Sequence, residues 1–265
     1  MNNIHIDSML RAAFADRHAV EIVERKGLGH PDTLCDALAE ELSRGLCRFY
    51  LGRFGTVLHH NVDKVLLWGG VARPELGGGR IVEPIEIFLA GRATLEHEGI
   101  RVPVEAIAHE VCERWLSDHL HELDPRRHVK IHALIRPGSA DLVELFLRQR
   151  RTGVWLANDT SCGVGYAPLS VLERSVLSAE SALVSRATTA VHPALGEDVK
   201  VMGIRRGKRL DFTVACALVG RHLHSVDDYI EAKRTVEQLV RRAVASDGLG
   251  DVVVNTADDP SAGNL

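Results

Sequence analysis

The segment Gly27-Leu28-Gly29-His30-Pro31-Asp32 places two glycines and a His-Pro-Asp tripeptide directly before a long amphipathic pattern. Pro31 suits the first position of a helix, where its missing N–H group is no loss. Apolar residues then recur at helical spacing, at Leu34, Leu38, Leu42, Leu46 and Phe49. The sequence therefore predicts a helix that begins at Pro31 and has His30 at its N-terminal end.

A helix start of this kind has two interpretations. The free N–H groups and the helix dipole favour an anion beside His30. Asp32 and Asp36 in the first turn would repel that anion unless a divalent cation lies between them. Mg²⁺ fits because it typically binds one or two carboxylates together with substrate phosphates. Alternatively, the segment is an ordinary capped helix with a histidine in the preceding turn, since short motifs of this kind recur by chance.

The bulk composition narrows the function classes. The chain has 265 residues and a formal net charge of −4, so it lacks the basic character of a nucleic-acid-binding protein. No apolar run approaches the roughly 20 residues of a membrane span, and the first residues contain no signal-peptide core. The five cysteines form no Cys-x-x-Cys pair, which favours free thiols in a reducing compartment. We therefore expect a cytoplasmic protein with neither nucleic-acid nor membrane partners.

Helical and strand-forming segments alternate without the regular rhythm of a parallel doubly wound sheet. Three further segments have helical spacing, at 104–120, 169–184 and 226–245. Arg205-Arg206-Gly207-Lys208 predicts a hairpin between two strands, whereas residues 142–147 fit either a strand or a short helix. We predict an α+β fold with helices layered on mostly antiparallel or mixed sheets. We divide the chain approximately into two α+β regions. The first covers residues 1–135, with interleaved segments, and the second covers residues 136–265 and includes the start of a third region.

The run from Val20 to Asp36 resembles the N-terminal signature of the S-adenosylmethionine synthetase (methionine adenosyltransferase) family. Gly-His-Pro-Asp resembles a motif found throughout the family. The preceding Glu-Arg-Lys-Gly-Leu-Gly is similar to the segment at this position in its archaeal members. The resemblance implies three similar α+β domains about a pseudo-threefold axis, here with an incomplete third part. It also implies synthesis of S-adenosylmethionine from ATP and L-methionine, with release of phosphate and diphosphate. A homodimer with its active site at the interface is implied as well, with Mg²⁺ as cofactor and K⁺ as a second candidate ion.

Two further segments resemble motifs of this family. Asp159 lies in a loop rich in small residues before Gly165-Tyr166-Ala167, and the resemblance implies that it contacts methionine. Asp198 and Lys200 are two residues apart at the start of a strand, so they project from one face. The likeness assigns them to adenosine and polyphosphate. Judged on spacing alone, Asp159 would be a turn cap, and Asp198 and Lys200 a solvated ion pair.

Together these motifs define a candidate site. Glu24 falls where the family has a glutamate near the nucleotide. The candidate catalytic residues are His30 and Lys200, the substrate-binding residues are Glu24, Asp159 and Asp198, and the metal ligand is Asp32. His59-His60-Asn61 also resembles a family segment, but adjacent histidines on a strand point to opposite faces. We therefore expect these histidines to line a pocket at most.

Beyond Thr33, which stands where bacterial members of the family carry a lysine, the sequence departs from the family pattern at two places. Val71 follows Gly69-Gly70 where bacterial members carry a glutamate that holds methionine, so that carboxylate is missing or supplied elsewhere. The segment 255–259 resembles one that continues much further in the family, so we expect a C-terminally incomplete chain that is inactive as it stands. The alternative is a non-catalytic, synthetase-like protein that binds a nucleotide or a partner.

Overall fold

The computed structural model describes residues 15–154, 162–244 and 248–259. Its helices are α1 (Pro31–Phe54), α2 (Val104–His119), α3 (Pro125–His128), α4 (Ala140–Thr152), α5 (Val171–Val184), α6 (Arg186–Val191) and α7 (Val226–Val244). Its strands are β1 (Val20–Lys26), β2 (His60–Trp68), β3 (Val71–Glu75), β4 (Gly78–Glu83), β5 (Ile85–Ala93), β6 (Glu96–His97), β7 (Ile100–Arg101), β8 (Val129–Arg136), β9 (Leu195–Arg206), β10 (Arg209–Leu218) and β11 (Leu249–Val254).

Two larger sheets organise these elements. The four-stranded sheet has the order β1-β9-β10-β11, in which β9 pairs antiparallel with both neighbours and β10 pairs parallel with β11. The three-stranded sheet has the order β2-β5-β8, with one antiparallel and one parallel pair. Helices that pack on mixed sheets confirm the predicted α+β class. The pseudo-threefold arrangement and the division near residue 135 stay predictions.

Each larger sheet forms a core with the helices on one of its faces. α1 contacts β2 and α2 contacts β8, and the apolar residues of α1 that sequence spacing selects, such as Leu38 and Leu42, are fully buried there. α5 contacts β1 and β9, while α7 contacts β10 and β11. Leu172 and Val201 are among the buried residues of this second core. Because β1 belongs to the four-stranded sheet and α1 to the other core, residues 27–30 connect the two.

α1 is the longest helix of the described residues, and both of its ends are fixed. His30 is the N-cap, with extended backbone angles (φ −67°, ψ 136°), and Pro31 takes the first helical position as predicted. At the other end Gly55 adopts a left-handed conformation (φ 67°), and its N–H donates to the carbonyl of Leu51. A residue with a Cβ would be strained at that position. The helix therefore begins and ends where local sequence signals place it.

The remaining local predictions also have outcomes. The helices predicted at 104–120, 169–184 and 226–245 are α2, α5 and α7, with shifts of at most two residues at their ends. Arg206 pairs with Arg209 across the predicted hairpin between β9 and β10. The ambiguous residues 142–147 lie within α4. No helix among the described residues is long and apolar enough to cross a membrane.

Candidate active site

The turn at residues 27–30 lies directly against the backbone at the start of β9. The Gly27 N–H donates to the Val199 carbonyl at 2.7 Å, and the Gly29 N–H donates to the Glu197 carbonyl at 2.9 Å. A Cβ placed on Gly29 would lie 2.6 Å from the backbone nitrogen of Asp198, which is closer than such atoms approach. The turn therefore requires glycine for close contact, and this contact places His30 beside β9.

The four charged residues of β1 and β9 that surround this turn share one face of the sheet. Side chains alternate along a strand, and the intervening Val23, Val199 and Val201 pack into the core on the side of α5. Glu24, Lys26, Asp198 and Lys200 therefore project from the opposite face. In the antiparallel register Lys26 lies directly across from Lys200. Two cations and two anions thus meet at this end of the sheet.

These charged residues form ion pairs in which both the positive and the negative groups stay exposed to solvent. Lys200 Nζ lies 3.7 Å from Glu24 Oε2, and each side chain is 41% exposed. Lys26 Nζ makes a close ion pair with Asp32 Oδ2. This hydrogen bond lowers the pKa of Asp32, with smaller contributions from His30 and Lys200, and it raises the pKa of Lys26. Asp32 is therefore ionised at neutral pH.

Asp198 differs electrostatically from Asp32. Partial burial raises the pKa of the Asp198 carboxyl, and the nearby His30 and Lys200 oppose that rise. The same two residues also lower the pKa of Asp32, so both carboxylates lie near His30 and Lys200. A phosphate-bearing ligand would meet Lys26 and Lys200 as its cationic contacts and the His30 imidazole as a hydrogen-bond donor.

The geometry of His30 is compatible with both interpretations of the helix start, as an ordinary helix cap and as a site for an anion. Its Nδ1 accepts a hydrogen bond from the Asp32 N–H at 3.1 Å, so the imidazole caps α1. An imidazole whose Nδ1 accepts carries its proton on Nε2. That Nε2–H is the donor that a ligand at the helix start would meet. The capping role fixes the ring and thereby orients the donor.

The residues present fit a magnesium ion that is bound jointly with a phosphorylated substrate. The Asp32 side chain is 63% exposed and ionised. Within 15–154, 162–244 and 248–259, no group of three or more His, Cys, Asp and Glu lies close enough to hold a metal alone. Mg²⁺ commonly takes only one or two protein carboxylates and completes its shell with water and phosphate oxygens, so a single available carboxylate is compatible with such a site.

Five of the predicted site residues are brought together, and one predicted residue is not described. Glu24, His30, Asp32, Asp198 and Lys200 all lie at the junction of β1, α1 and β9. The sixth, Asp159, lies outside the described residues. Sequence reasoning missed Lys26, although a strand at this segment would place Glu24 and Lys26, two residues apart, on one face.

The two adjacent histidines contact different elements, with His60 at the start of β2 and His59 just before it. His60 Nε2 lies 3.0 Å from Ser43 Oγ on α1, and the His60 ring packs near that of Tyr50. The His59 ring instead contacts Phe146 on α4. His60 therefore links β2 to α1 within the first core.

Comparison with known proteins identifies the class to which this fold and site belong. The family model described as S-adenosylmethionine synthetase (AdoMet synthetase) matches residues 2–265. A probable S-adenosylmethionine synthase of Aquifex aeolicus is 49% identical over 265 residues, which cover 98% of this chain and 66% of the relative. The S-adenosylmethionine synthase of Pyrococcus furiosus is 43% identical, with 98% and 65% of the two chains covered. The chain belongs to the S-adenosylmethionine synthetase family.

The fold agrees with a solved structure of that family. An unusual S-adenosylmethionine synthetase from Campylobacter jejuni superposes with a TM-score of 0.53 at 14% identity, covering 90% of this chain and 58% of the other. At this identity the likeness concerns the fold alone. The chain spans about two thirds of the length of the relatives it matches, at 66% and 65% for the two named above.

The close approach of the turn to β9 generates a prediction about stability. Gly29→Ala should destabilise the protein by about 1–3 kcal/mol, because the added methyl group must displace backbone atoms of β9. Gly52, within α1, has no atom beyond its chain neighbours and the backbone of its own helix within 4 Å of the position that a Cβ would occupy, so Gly52→Ala should be neutral or slightly stabilising. Urea unfolding followed by circular dichroism measures both. Equal stability of the two variants would contradict the tight contact.

Proposed function

We propose that the full-length protein synthesises S-adenosylmethionine from ATP and L-methionine and releases phosphate and diphosphate. The observation that carries the proposal is the meeting of Lys26, His30 and Lys200 with Glu24, Asp32 and Asp198 at one helix start. Family membership supports the same reaction. No observation on the described residues favours the alternative of a non-catalytic binding protein.

The adenosyl-transfer step needs no general base. The methionine sulfur attacks C5′ of ATP, a sulfur–carbon bond forms, and the C5′–oxygen bond breaks. The sulfur becomes a sulfonium, the triphosphate leaves as an anion, and no proton is transferred in this step. Water then hydrolyses the triphosphate to phosphate and diphosphate. The rate must then come from alignment of the sulfur with the leaving group and from positive charge placed on the leaving oxygens.

The cationic residues of the site are suited to the leaving group. Lys200 and Lys26 project from the same face, and the Nε2–H of His30 adds a donor at the helix start. We assign these three groups to the polyphosphate, whose negative charge increases as the C5′–oxygen bond breaks. Donors that are already in place stabilise such a charge without reorganisation.

The carboxylates are suited to the other parts of the substrates. We assign Glu24 and Asp198 to the nucleoside side of the pocket and Asp159 to the methionine. Asp32 would hold Mg²⁺. When bound, the ion neutralises charge on the polyphosphate. The resemblance leaves K⁺ as a second candidate ion.

We further propose that two copies of the chain associate through the open faces of the sheets. Ile22 on β1 is 64% exposed, and on the three-stranded sheet Leu66, Trp68 and Leu134 are 63%, 61% and 56% exposed. Exposed apolar surface of this kind commonly marks an interface. Glu24 and Lys26 lie on the same face of β1 as Ile22, so a second copy seated there would also border the candidate site.

A cytoplasmic location is part of the proposal. All five cysteines are free thiols, and Cys112 and Cys216 are buried. Free cysteines of this kind are typical of proteins in a compartment that keeps thiols reduced.

The first prediction of the proposed function separates capping from catalysis at His30. His30→Asn keeps a good N-cap residue but removes the imidazole donor, whereas His30→Ala removes both. Both variants should lose at least about 10²-fold in the rate of S-adenosylmethionine formation, and only His30→Ala should lose thermal stability. The assay supplies ATP, methionine, Mg²⁺ and K⁺ to the full-length protein, with product measured by mass spectrometry. Near-normal turnover by His30→Asn would remove His30 from the mechanism.

His18, an exposed histidine before β1, provides the control, because His18→Ala should retain full activity. Unmodified protein that binds ATP but forms no product would support the non-catalytic alternative instead.

A second prediction concerns the metal. Asp32→Asn should raise the Mg²⁺ concentration for half-maximal activity by at least about tenfold, because the neutral amide is a poorer ligand. Asp63 makes a comparable exposed ion pair with Lys64, so Asp63→Asn is the matched control. The control should leave the Mg²⁺ titration unchanged. Superimposable titrations for the two variants would restrict Asp32 to its ion pair with Lys26.

A third prediction concerns association. Ile22→Glu places a charge in the proposed interface and should convert dimers to monomers in sedimentation velocity experiments. Leu51 on α1 is 52% exposed but lies on neither open sheet face, so Leu51→Glu should leave the dimer intact. A monomeric unmodified protein, or a dimeric Ile22→Glu variant, would overturn this arrangement.

A further inference from the structure

A histidine–carboxylate pair joins the loop after α2 to the start of β9. His121 Nδ1 lies 2.5 Å from Glu197 Oε1, and His121 Nε2 lies 3.1 Å from the Pro193 carbonyl oxygen. The backbone N–H of His121 donates to the same Glu197 oxygen at 3.2 Å. The loop belongs to the first core and β9 to the second, so this pair bridges the two.

The hydrogen bonds determine the charge of His121. A carboxylate oxygen and a carbonyl oxygen only accept hydrogen bonds, so both ring nitrogens must carry protons. The imidazole is therefore a cation that faces an almost completely buried carboxylate, since the Glu197 side chain is 9% exposed. Desolvation lowers the pKa of His121, but the hydrogen bonds to Glu197 and Pro193 outweigh it, so the pKa is raised overall.

Glu197 is also the residue on which the catalytic turn rests. Its carbonyl accepts the Gly29 N–H, and its carbonyl carbon would lie 2.6 Å from a Cβ on Gly29. Asp198 follows it directly, and Lys200 follows on the same strand. His121 thus holds the side chain of a residue whose backbone positions the turn before His30 and whose strand carries Asp198 and Lys200.

We propose that His121, as an imidazolium, is a positioning residue for adenosyl transfer: through Glu197 it fixes the turn at 27–30 against β9. The inference rests on the proposed function. A displacement of about 1 Å in a catalytic arrangement can cost roughly 10²-fold in rate. Loss of the pair should therefore lower kcat more than it raises KM, because it misplaces groups that act in the transition state.

The structure provides a matched control for this pair. His222 Nε2 lies 2.7 Å from Glu122 Oε1, and Arg221 Nη1 lies 2.8 Å from Glu122 Oε2. This second histidine–carboxylate pair starts from the same loop and also reaches the second core. It does not involve β9 or the turn. A variant at His222 therefore measures what the loss of a bridging pair costs in stability alone.

The decisive experiment compares His121→Gln, Glu197→Gln and His222→Gln in the full-length protein. Hydrogen–deuterium exchange of peptides that cover residues 26–31 reports on the turn, independently of activity. We expect exchange of the Gly29 amide to accelerate about tenfold in His121→Gln and Glu197→Gln and to be unchanged in His222→Gln. In the adenosyl-transfer assay, kcat should fall about tenfold in the first two variants, with KM for ATP and methionine changed by less than about threefold.

Combining the two substitutions adds a further criterion. His121→Gln/Glu197→Gln should be no more impaired than either single variant, because both remove one interaction. Unchanged exchange of the turn, or kcat values that match those of His222→Gln, would overturn the positioning role. If the unmodified protein forms no S-adenosylmethionine, the proposed function fails, and the exchange comparison alone decides whether His121 fixes the turn.

The effect of pH gives a test without substitution. The charged groups that face His121 are Glu197 from β9 and Glu122 from its own loop, and Glu122 is itself held by Arg221 and His222. Because the pKa of His121 is raised, the pair is intact at low pH and is lost as the pH rises through that pKa. After correction for the chemical rate, exchange of the turn should accelerate with rising pH in unmodified protein and in His222→Gln, but not in His121→Gln. Identical profiles in all three would contradict the proposal.

Discussion

The contact of two glycines with the backbone of β9 is the constraint on which the site depends. Lys26 ends a strand of the four-stranded sheet, and Pro31 begins a helix of the other core, so this crossing between the two cores is four residues long. Gly27 and Gly29 bring that crossing against β9 through backbone hydrogen bonds. The candidate site is therefore built where two independently packed cores meet. Its charged residues keep their spacing only while both cores hold the turn.

The residues at this junction each serve two purposes. His30 caps α1 through Nδ1 and keeps Nε2–H for a ligand, and Asp32 pairs with Lys26 while remaining an exposed carboxylate. The ion pair is exposed, so its contribution to stability is small. A weak pair can open when a polyphosphate and its metal ion offer both partners better ones. The arrangement thus keeps the charges ionised and in place without holding them in a stable structural network.

Local features of the fold were predictable from the sequence, and distant ones were not. The start of α1 at Pro31 was predictable because its signals are local: the proline and the first apolar residues of the helical pattern lie within a few residues of each other. Residues 142–147 were ambiguous because a short apolar run fits either structure. The site residues were found through motif resemblance, whereas Lys26 was missed because its role depends on pairing with Lys200 far along the chain. The pair of His121 with Glu197 has no sequence signal, since it is created by packing between the two cores.

The pairing of β1 with β9 also has a consequence for the time at which the site is assembled. Lys26 and its partner Lys200 are separated by roughly 170 residues, and ribosomes add about 5–20 residues per second. A nascent chain therefore exposes β1 for roughly 10–35 s before β9 has been made. The first core, whose helices and strands lie within 31–136, can fold during that interval. Throughout this delay the backbone N–H and C=O groups of β1 have no partner strand in the four-stranded sheet, so the candidate site cannot assemble until β9 has been synthesised.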